Sequence, residues 1–227
     1  MQSGKQAVVS DVGQMRVVSV NVGAATTISH RGKDFLTGID KQPSTRRVGV
    51  SALGLDADNV CDQDNHGGVD QAVYAYGTNH YGWWQAQLER ELRPGLFGEN
   101  LSIENLPDDL RAGDRFTIGN VVLEATAPRI PCSTFAAQMR DSGFGLAFRR
   151  AEKPGFYFRV LASGDIGTGD TIEFQPADGE SNVTMLELFR LYYDLSPEPA
   201  ALRRALESPI AERLRRRFEQ KLEAADG

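Results

Sequence analysis

Apolar positions along this chain fall mostly into short alternating runs, with only a few stretches at helical spacing. Residues 15–21 are β-branched and partly alternating, which predicts a first strand. Residues 23–33 read as a loop, and residues 48–50 and 72–76 as further strands. Asn79 has the character of an N-cap, and Tyr81, Trp84, Leu88 and Leu92 then recur at helical spacing. That pattern predicts a helix running to residue 92, closed by Pro94 and Gly95, with the aromatic stripe in the core. Residues 111–123 read as two strands joined by a hairpin turn at Gly119-Asn120. A strand over 121–126 meets Pro128 and Pro131, which bar their segment from central strand and helix interior alike. What remains is a stiff bend, followed by a helical run over 135–150 that breaks near Ser142-Gly143. Strands over 155–161 and 170–174 follow, linked by a turn containing Gly164, Gly167 and Gly169. Short strands, glycine turns and few long helices predict an α+β fold, mainly β, closer to a barrel than to a doubly wound sheet.

The pattern changes near residues 175–181. Thr184 and Glu187 form a capping box, with Val183 and Leu188 placed as its hydrophobic staple, and that helix runs to about Asp194. Ser196-Pro197 and Ser208-Pro209 predict the openings of two more helices. The expected organisation is a flexible stretch over 1–14, a barrel-like domain over 15–180 and a small three-helix unit over 181–227.

Charge and composition then exclude several functions. A net charge of −6 on 227 residues argues against nucleic acid as the main partner. The cluster Arg213, Arg215, Arg216 and Arg217 does not reverse this. From Val183 onward the tail carries eight basic and eight acidic residues, so the cluster reads as a solvated helix face. No apolar run approaches the ~20 residues that cross a membrane, and the amino terminus lacks the apolar core of a signal peptide. Two cysteines 71 positions apart make neither a disulfide framework nor a metal knuckle. The cytoplasm is the expected location.

Three stretches carry chemistry. The bend at 128–134 delivers Arg129, Cys132 and Ser133 to the end of a strand. A cation and a thiol on a stiff connector suit an anionic or metal-bearing ligand, although a small buried cysteine is the commoner role. Residues 37–47 bring Lys41, Ser44, Arg46 and Arg47 together on a loop shaped by Gly38 and Pro43, as a phosphate site requires; a solvated turn is the plainer alternative. The third stretch is His66-Gly67-Gly68-Val69-Asp70, whose paired glycines permit positive φ and close backbone approach to a ligand. The acidic residues Asp56, Asp58, Asp62 and Asp64 lack the glycine and glutamate spacing of a calcium loop, and Cys61 reads as filler.

Taken together, Thr37-Gly38-Ile39-Asp40-Lys41, Gly54-Leu55 with Asp58, His66 to Val73, Phe97-Gly98-Glu99-Asn100-Leu101, Gly113-Asp114 and Pro128 to Cys132 stand in one order. In that order the chain resembles the MOSC domains, named for the carboxyl-terminal domain of molybdenum-cofactor sulfurases, over roughly residues 15–175. The tail is similar to that of stand-alone bacterial members linked to 6-N-hydroxylaminopurine resistance. Ala57 departs from the glycine usual before the aspartate, and Val60 from a nearby glutamine.

The resemblance implies a mixed, β-barrel-like fold that binds the molybdenum cofactor, a pterin with a dithiolene and a terminal phosphate. It implies Cys132 as the metal ligand, since molybdenum takes soft thiolates. Lys41, Arg46 or Arg47, and Arg129 would oppose the phosphate and pterin oxygens, with Ser44 donating a hydrogen bond. His66 and the backbone of Gly67 and Gly68 would line the pocket, Asp70 would orient that loop, and Asn100 would meet pterin or substrate. The implied reaction is two-electron reduction of small N-hydroxylated bases and related compounds to amines. No flavin, nicotinamide or iron–sulfur fingerprint is present, so electrons would come from a separate reductase partner. Sulfurases add a pyridoxal-phosphate-dependent desulfurase domain, for which this chain has no room. Two rivals remain: a cofactor or sulfur carrier using a Cys132 persulfide, and a cysteine hydrolase with Cys132 activated by His66.

Overall fold

A computed structural model describes residues 13–63, 65–178 and 182–226, so the expected flexible stretch over 1–14 lies almost wholly outside the described residues, as does Asp64. β-branched runs open the fold as β1 (Arg16–Val22), with Val17 and Val20 fully buried. The segment read as a loop is instead a hairpin, β2 (Thr26–His30) and β3 (Lys33–Thr37). Its turn places both Arg31 and Gly32 at positive φ, 53° and 73°, the twist a two-residue hairpin needs. Arg-Gly lacks the Asn or Asp that usually announces such a turn, and so the strands were invisible.

Short strands β4 (Gln42–Pro43), β5 (Val48–Ser51) and β6 (Gly54–Leu55) lead through a 3-10 turn at Val69–Gln71 to β7 (Val73–Gly77). Helix α1 (Thr78–Leu88) crosses over to β8 (Leu101–Glu104), which pairs parallel to β7. Its N-cap is Gly77, so Asn79 lies inside the first turn, and the helix ends at Leu88 with Glu89 left-handed, four residues before its expected end. Tyr81, Trp84 and Leu92 are nevertheless buried, as the stripe required. The predicted hairpin is β9 (Arg115–Ile118) and β10 (Val121–Pro128), and the broken helix is α2 (Ser133–Met139) and α3 (Phe144–Ala151). Strands β11 (Phe156–Ala162), β12 (Gly164–Ile166) and β13 (Glu173–Gln175) complete the sheets.

Among the described residues the main sheet has the order β13-β9-β10-β11-β7-β8-β1-β4, with β12-β5-β6 and β2-β3 as smaller sheets. The main sheet is not a closed barrel, but it curls on itself. Backbone bonds from Val17 to Asp170, Gly169 to Val17 and Ile172 to Met15 tie β1 to the segment leading into β13. Strand and helix hold nearly equal shares, so the β bias is weaker than the pattern predicts.

The capping box forms as read: Thr184 and Glu187 exchange both bonds at the start of α4 (Met185–Tyr193), and Val183 and Leu188 are buried. The next two openings differ. Helix α5 (Pro199–Glu207) begins after Glu198, and α6 (Glu212–Asp226) begins beyond Ser208, which ends α5 as its C-cap. Buried Ser208 spends its hydroxyl on the Arg204 carbonyl. The three helices share the core of the sheet: Met185, Leu188, Leu202, Ala205 and Phe218 belong to the same cluster as Val17, Leu123 and Phe158. The tail is therefore a wall of the domain. A second, aromatic cluster of Tyr74, Tyr76, Trp84, Phe97, Phe135, Phe144 and Phe148 lies beneath the proline bend.

Candidate functional site

β10 ends at Pro128, and the chain then turns Arg129 inward, where it is only 4% exposed. Its guanidinium lies over the rings of Phe135 and Tyr74, at 4.4 and 4.9 Å from their centroids, and Nη1 donates to the Phe97 carbonyl at 2.8 Å. The Nε–H has no partner, so a buried cation retains hydrogen-bonding capacity beside a cavity. Three residues on, Cys132 is the N-cap of α2. Burial pushes its thiol up. A hydrogen bond from His66, the charge of Arg129 and the Phe135 amide outweigh that and bring it down to about 7.

His66 is held by a loop that folds on its own backbone and then docks on the tail. Asp62 accepts from the Asn65 amide, its carbonyl accepts from His66 N, and Gly67 and Gly68 take φ of 67° and 81°. Asp70 pairs with Arg159 at 3.0 Å and accepts from the Glu212 amide at the start of α6. Arg213 then donates to the carbonyls of Gly67, Gln63 and His66 and to Gln71 Oε1. The arginine read as part of a solvated face is thus a clamp on the His66 loop. Arg213→Ala is expected to speed amide hydrogen exchange across residues 62–71 without speeding it in β10, as hydrogen-exchange mass spectrometry would show.

On the facing side, Lys41 and Asp58 form a buried ion pair. Asp58 also accepts from Gly23 N at 2.7 Å and from Asn100 Nδ2 at 2.9 Å, while Asn100 Oδ1 accepts from Tyr74 N. Asn100 therefore reaches the cavity with its polar atoms already committed. Gly38 is required here by contact: a Cβ would stand 2.1 Å from the Asn59 carbonyl oxygen. Ala57, where the family resemblance leads one to expect glycine, has φ 60°. Left-handed conformations cost a residue with a Cβ roughly 1–2 kcal/mol, partly offset by glycine's looser unfolded state. Ala57→Gly is expected to stabilise by about 0.5–1 kcal/mol, visible as a rise of ~2–3 °C in Tm.

Two cavities meet at the thiol. The inner one, about 90 Å³, is lined by Lys41, His66, Gly67, Asn100, Arg129 and Cys132 among others. The outer one, about 580 Å³, opens between the proline bend and α6 and shares Asp62, His66, Gln71, Cys132, Thr134 and Tyr157 with the first. Ser133 lines only the outer cavity. Asp70 and Gly68 stand behind the loop and line neither. Ser44, Arg46 and Arg47 are also outside both: Ser44 Oγ donates to the Arg46 carbonyl, and Arg47 pairs with Asp165 and Asp170. Sequence reasoning passed over Cys61 and Asn59, which line the inner cavity, and Tyr157, which lines both; their local sequence carried no signal. Among the described residues no three His, Cys, Asp or Glu side chains gather as a metal cluster, so a metal at Cys132 needs further ligands from a cofactor.

Comparison with known proteins places the chain in a family and a fold. The model of the MOSC domain matches residues 62–173. An uncharacterized protein of Bacillus subtilis, YflK, is 32% identical over 207 residues, covering 90% of this chain and 93% of that protein. A Gibberella moniliformis protein named a reductase is 33% identical over 146 residues, 62% of this chain and 26% of its own length. The crystal structure of YiiM from Geobacillus stearothermophilus superposes with a TM-score of 0.76 at 28% identity, covering 92% of this chain and 99% of that one.

Proposed function

This chain belongs to the MOSC domain family, and on that premise we propose that it is a molybdenum-cofactor-binding oxidoreductase that reduces N-hydroxylated bases and related compounds to amines. The observation that carries the reading is Cys132, a thiol drawn down to about 7 where two cavities meet. Beside it, buried Arg129 keeps an unpartnered N–H. A soft thiolate and a cation with spare hydrogen-bonding capacity fit a molybdenum-bearing anionic pterin. Cys132 would hold the metal and Arg129 the anionic pterin, with the backbone near Gly38 and Cys61 forming the remaining wall. Lys41 acts through Asp58 and Asn100, fixing that wall. When bound, the cofactor supplies the two-electron, oxygen-accepting chemistry.

The overall change, R–NHOH plus two electrons and two protons to R–NH₂ and water, consumes protons at the site. His66 borders both cavities, and in this reading its ring passes a proton toward the departing hydroxyl oxygen, while its hydrogen bond lowers the pKa of the Cys132 thiol. Electrons come from a separate reductase, and the cytoplasm is where such a partner would be met. No helix among the described residues is long and apolar enough to cross a membrane.

The test is molybdenum and pterin content of protein from a cofactor-competent host, beside Cys132→Ser. Near-stoichiometric metal, lost in the variant by tenfold or more, is expected, followed by reduction of 6-N-hydroxylaminopurine with an artificial donor. The His66–Cys132 contact is also what a cysteine hydrolase would use. Protein without metal or pterin that cleaves esters through Cys132 would replace the present reading with that one.

A further inference from the structure

We propose that the outer cavity is the substrate chamber and that its arginines make it a site for nucleoside 5′-monophosphates rather than free bases. This rests on the reductase reading for its chemistry, but its geometry stands independently. Of the two cavities that meet at Cys132, the outer one, at about 580 Å³ against about 90 Å³, is the one roomy enough for a nucleotide. Its wall beside the thiol is apolar and aromatic, with Pro128, Ile130, Pro131 and Tyr157, which suits a planar base.

The opposite wall is α6, and it is cationic. Arg213, Arg216 and Arg217 all line the chamber, in a chain whose net charge is −6. Arg213 spends its donors on neutral carbonyl and amide oxygens, so its charge is not cancelled by a carboxylate. Arg217 lies over the Tyr192 ring at 4.1 Å, with no carboxylate paired to it among the described residues. Arg216 pairs with Glu212 one turn back, but that arginine is 71% exposed and such a pair is weak and easily exchanged. Among the described residues Asp62 is the one carboxylate lining the chamber, and its charge is opposed by three arginines. Uncancelled guanidinium charge beside an open cavity is the chemistry that recognises phosphate.

Spacing along the helix sets the ligand's length. Arg213 marks the His66 end, and Arg217 and Gln220 follow roughly 6 and 10 Å further along α6 at 1.5 Å per residue. A base held at Cys132 would need a sugar to carry its phosphate that far.

The test is isothermal titration of the full chain with adenosine 5′-monophosphate, adenosine and inorganic phosphate, repeated on Arg216→Ala/Arg217→Ala. The monophosphate is expected to bind at least about tenfold tighter than either fragment, and the double variant to lose that advantage while its affinity for adenosine is unchanged. Equal binding of nucleotide and adenosine, phosphate binding as tightly as the nucleotide, an advantage that survives in the variant, or no binding of nucleotide would each overturn the proposal. Metal content separates it from the reductase reading. Protein that binds the nucleotide in this way yet carries no molybdenum keeps the chamber and loses the reductase, and the converse loses the chamber alone.

Discussion

Asp58→Ala is expected to destabilise the protein by about 3–5 kcal/mol, because it leaves a buried ammonium without its counter-ion. The side chains of Lys41 and Asp58 are 8% and 6% exposed, so water cannot replace the lost partner. The same substitution strands Gly23 N and Asn100 Nδ2, both of which donate to this carboxylate. For a chain of this size the loss corresponds to a fall in Tm of roughly 10 °C, readable by calorimetry. Burial lowers the Lys41 pKa, and Asp58 is the main group pulling it back up. Without Asp58 the folded-state value drops further below the unfolded one, and between the two values the unfolded chain binds more protons. Stability of the variant should therefore rise with pH up to the unfolded lysine value near 10.4, recovering part of the loss. Lys41→Met in the Asp58→Ala background should recover a further part, since an apolar pair removes the buried charge but not the two stranded donors. A loss below about 1 kcal/mol in the single variant would mean that the pair is solvated and that this wall of the inner cavity is not rigid.

The parts of this fold that could be read from sequence are those set by neighbours in sequence. The Thr184–Glu187 capping box spans three residues and forms as written. Pro131 lies in the bend as expected, but Pro128 does not stay out of the sheet: it is the last residue of β10 and pairs with Phe156, just past a register irregularity at Ala125–Ala127 where a missing donor is tolerated. Six short motifs in order point to the family, and five of them (those holding Lys41, Asp58, His66, Asn100 and Cys132) supply residues that line the inner cavity. Long-range pairing was not readable. The sequence offers Lys41 and Arg47 to a phosphate, but Asp58, 17 positions away, holds Lys41, and Arg47 faces Asp165 and Asp170 across more than a hundred residues. Arg213 reads as surface from the composition of α6, yet its four acceptors lie about 150 positions earlier. Nothing in local sequence encodes which carbonyls a guanidinium will find. The openings of α5 and α6 failed for a related reason: Ser208 resembles an N-cap, but burial against α5 gives its hydroxyl a backbone carbonyl instead.

Alkylation of Cys132 in metal-free protein should follow a titration with its midpoint near pH 7, well below the value near 8.5 of a free thiol. Cys61→Ser is the background of choice, since it leaves Cys132 as the remaining thiol. Thiolate fraction alone favours Cys132 by about fifteenfold at pH 7. Lower basicity makes each thiolate a poorer nucleophile by a factor of roughly four, so the rate advantage shrinks to a few-fold and the midpoint is the informative reading. Burial raises this thiol, and His66 and Arg129 together overcome it. His66→Ala removes the largest of the lowering contributions, leaving Arg129 and the Phe135 amide against burial, and the midpoint should move up by at least one unit. The sign carries over to stability. A folded-state pKa below the unfolded one adds stability that is fully present above about pH 8.5 and lost as pH falls through 7. The Tm difference between the Cys61→Ser protein and its Cys132→Ser derivative should therefore narrow between pH 9 and pH 6. A midpoint at 8.5 or above in the parent would show that His66 does not reach the thiol in solution. The ionised ligand on which the proposed chemistry depends would then have to be created by the metal itself.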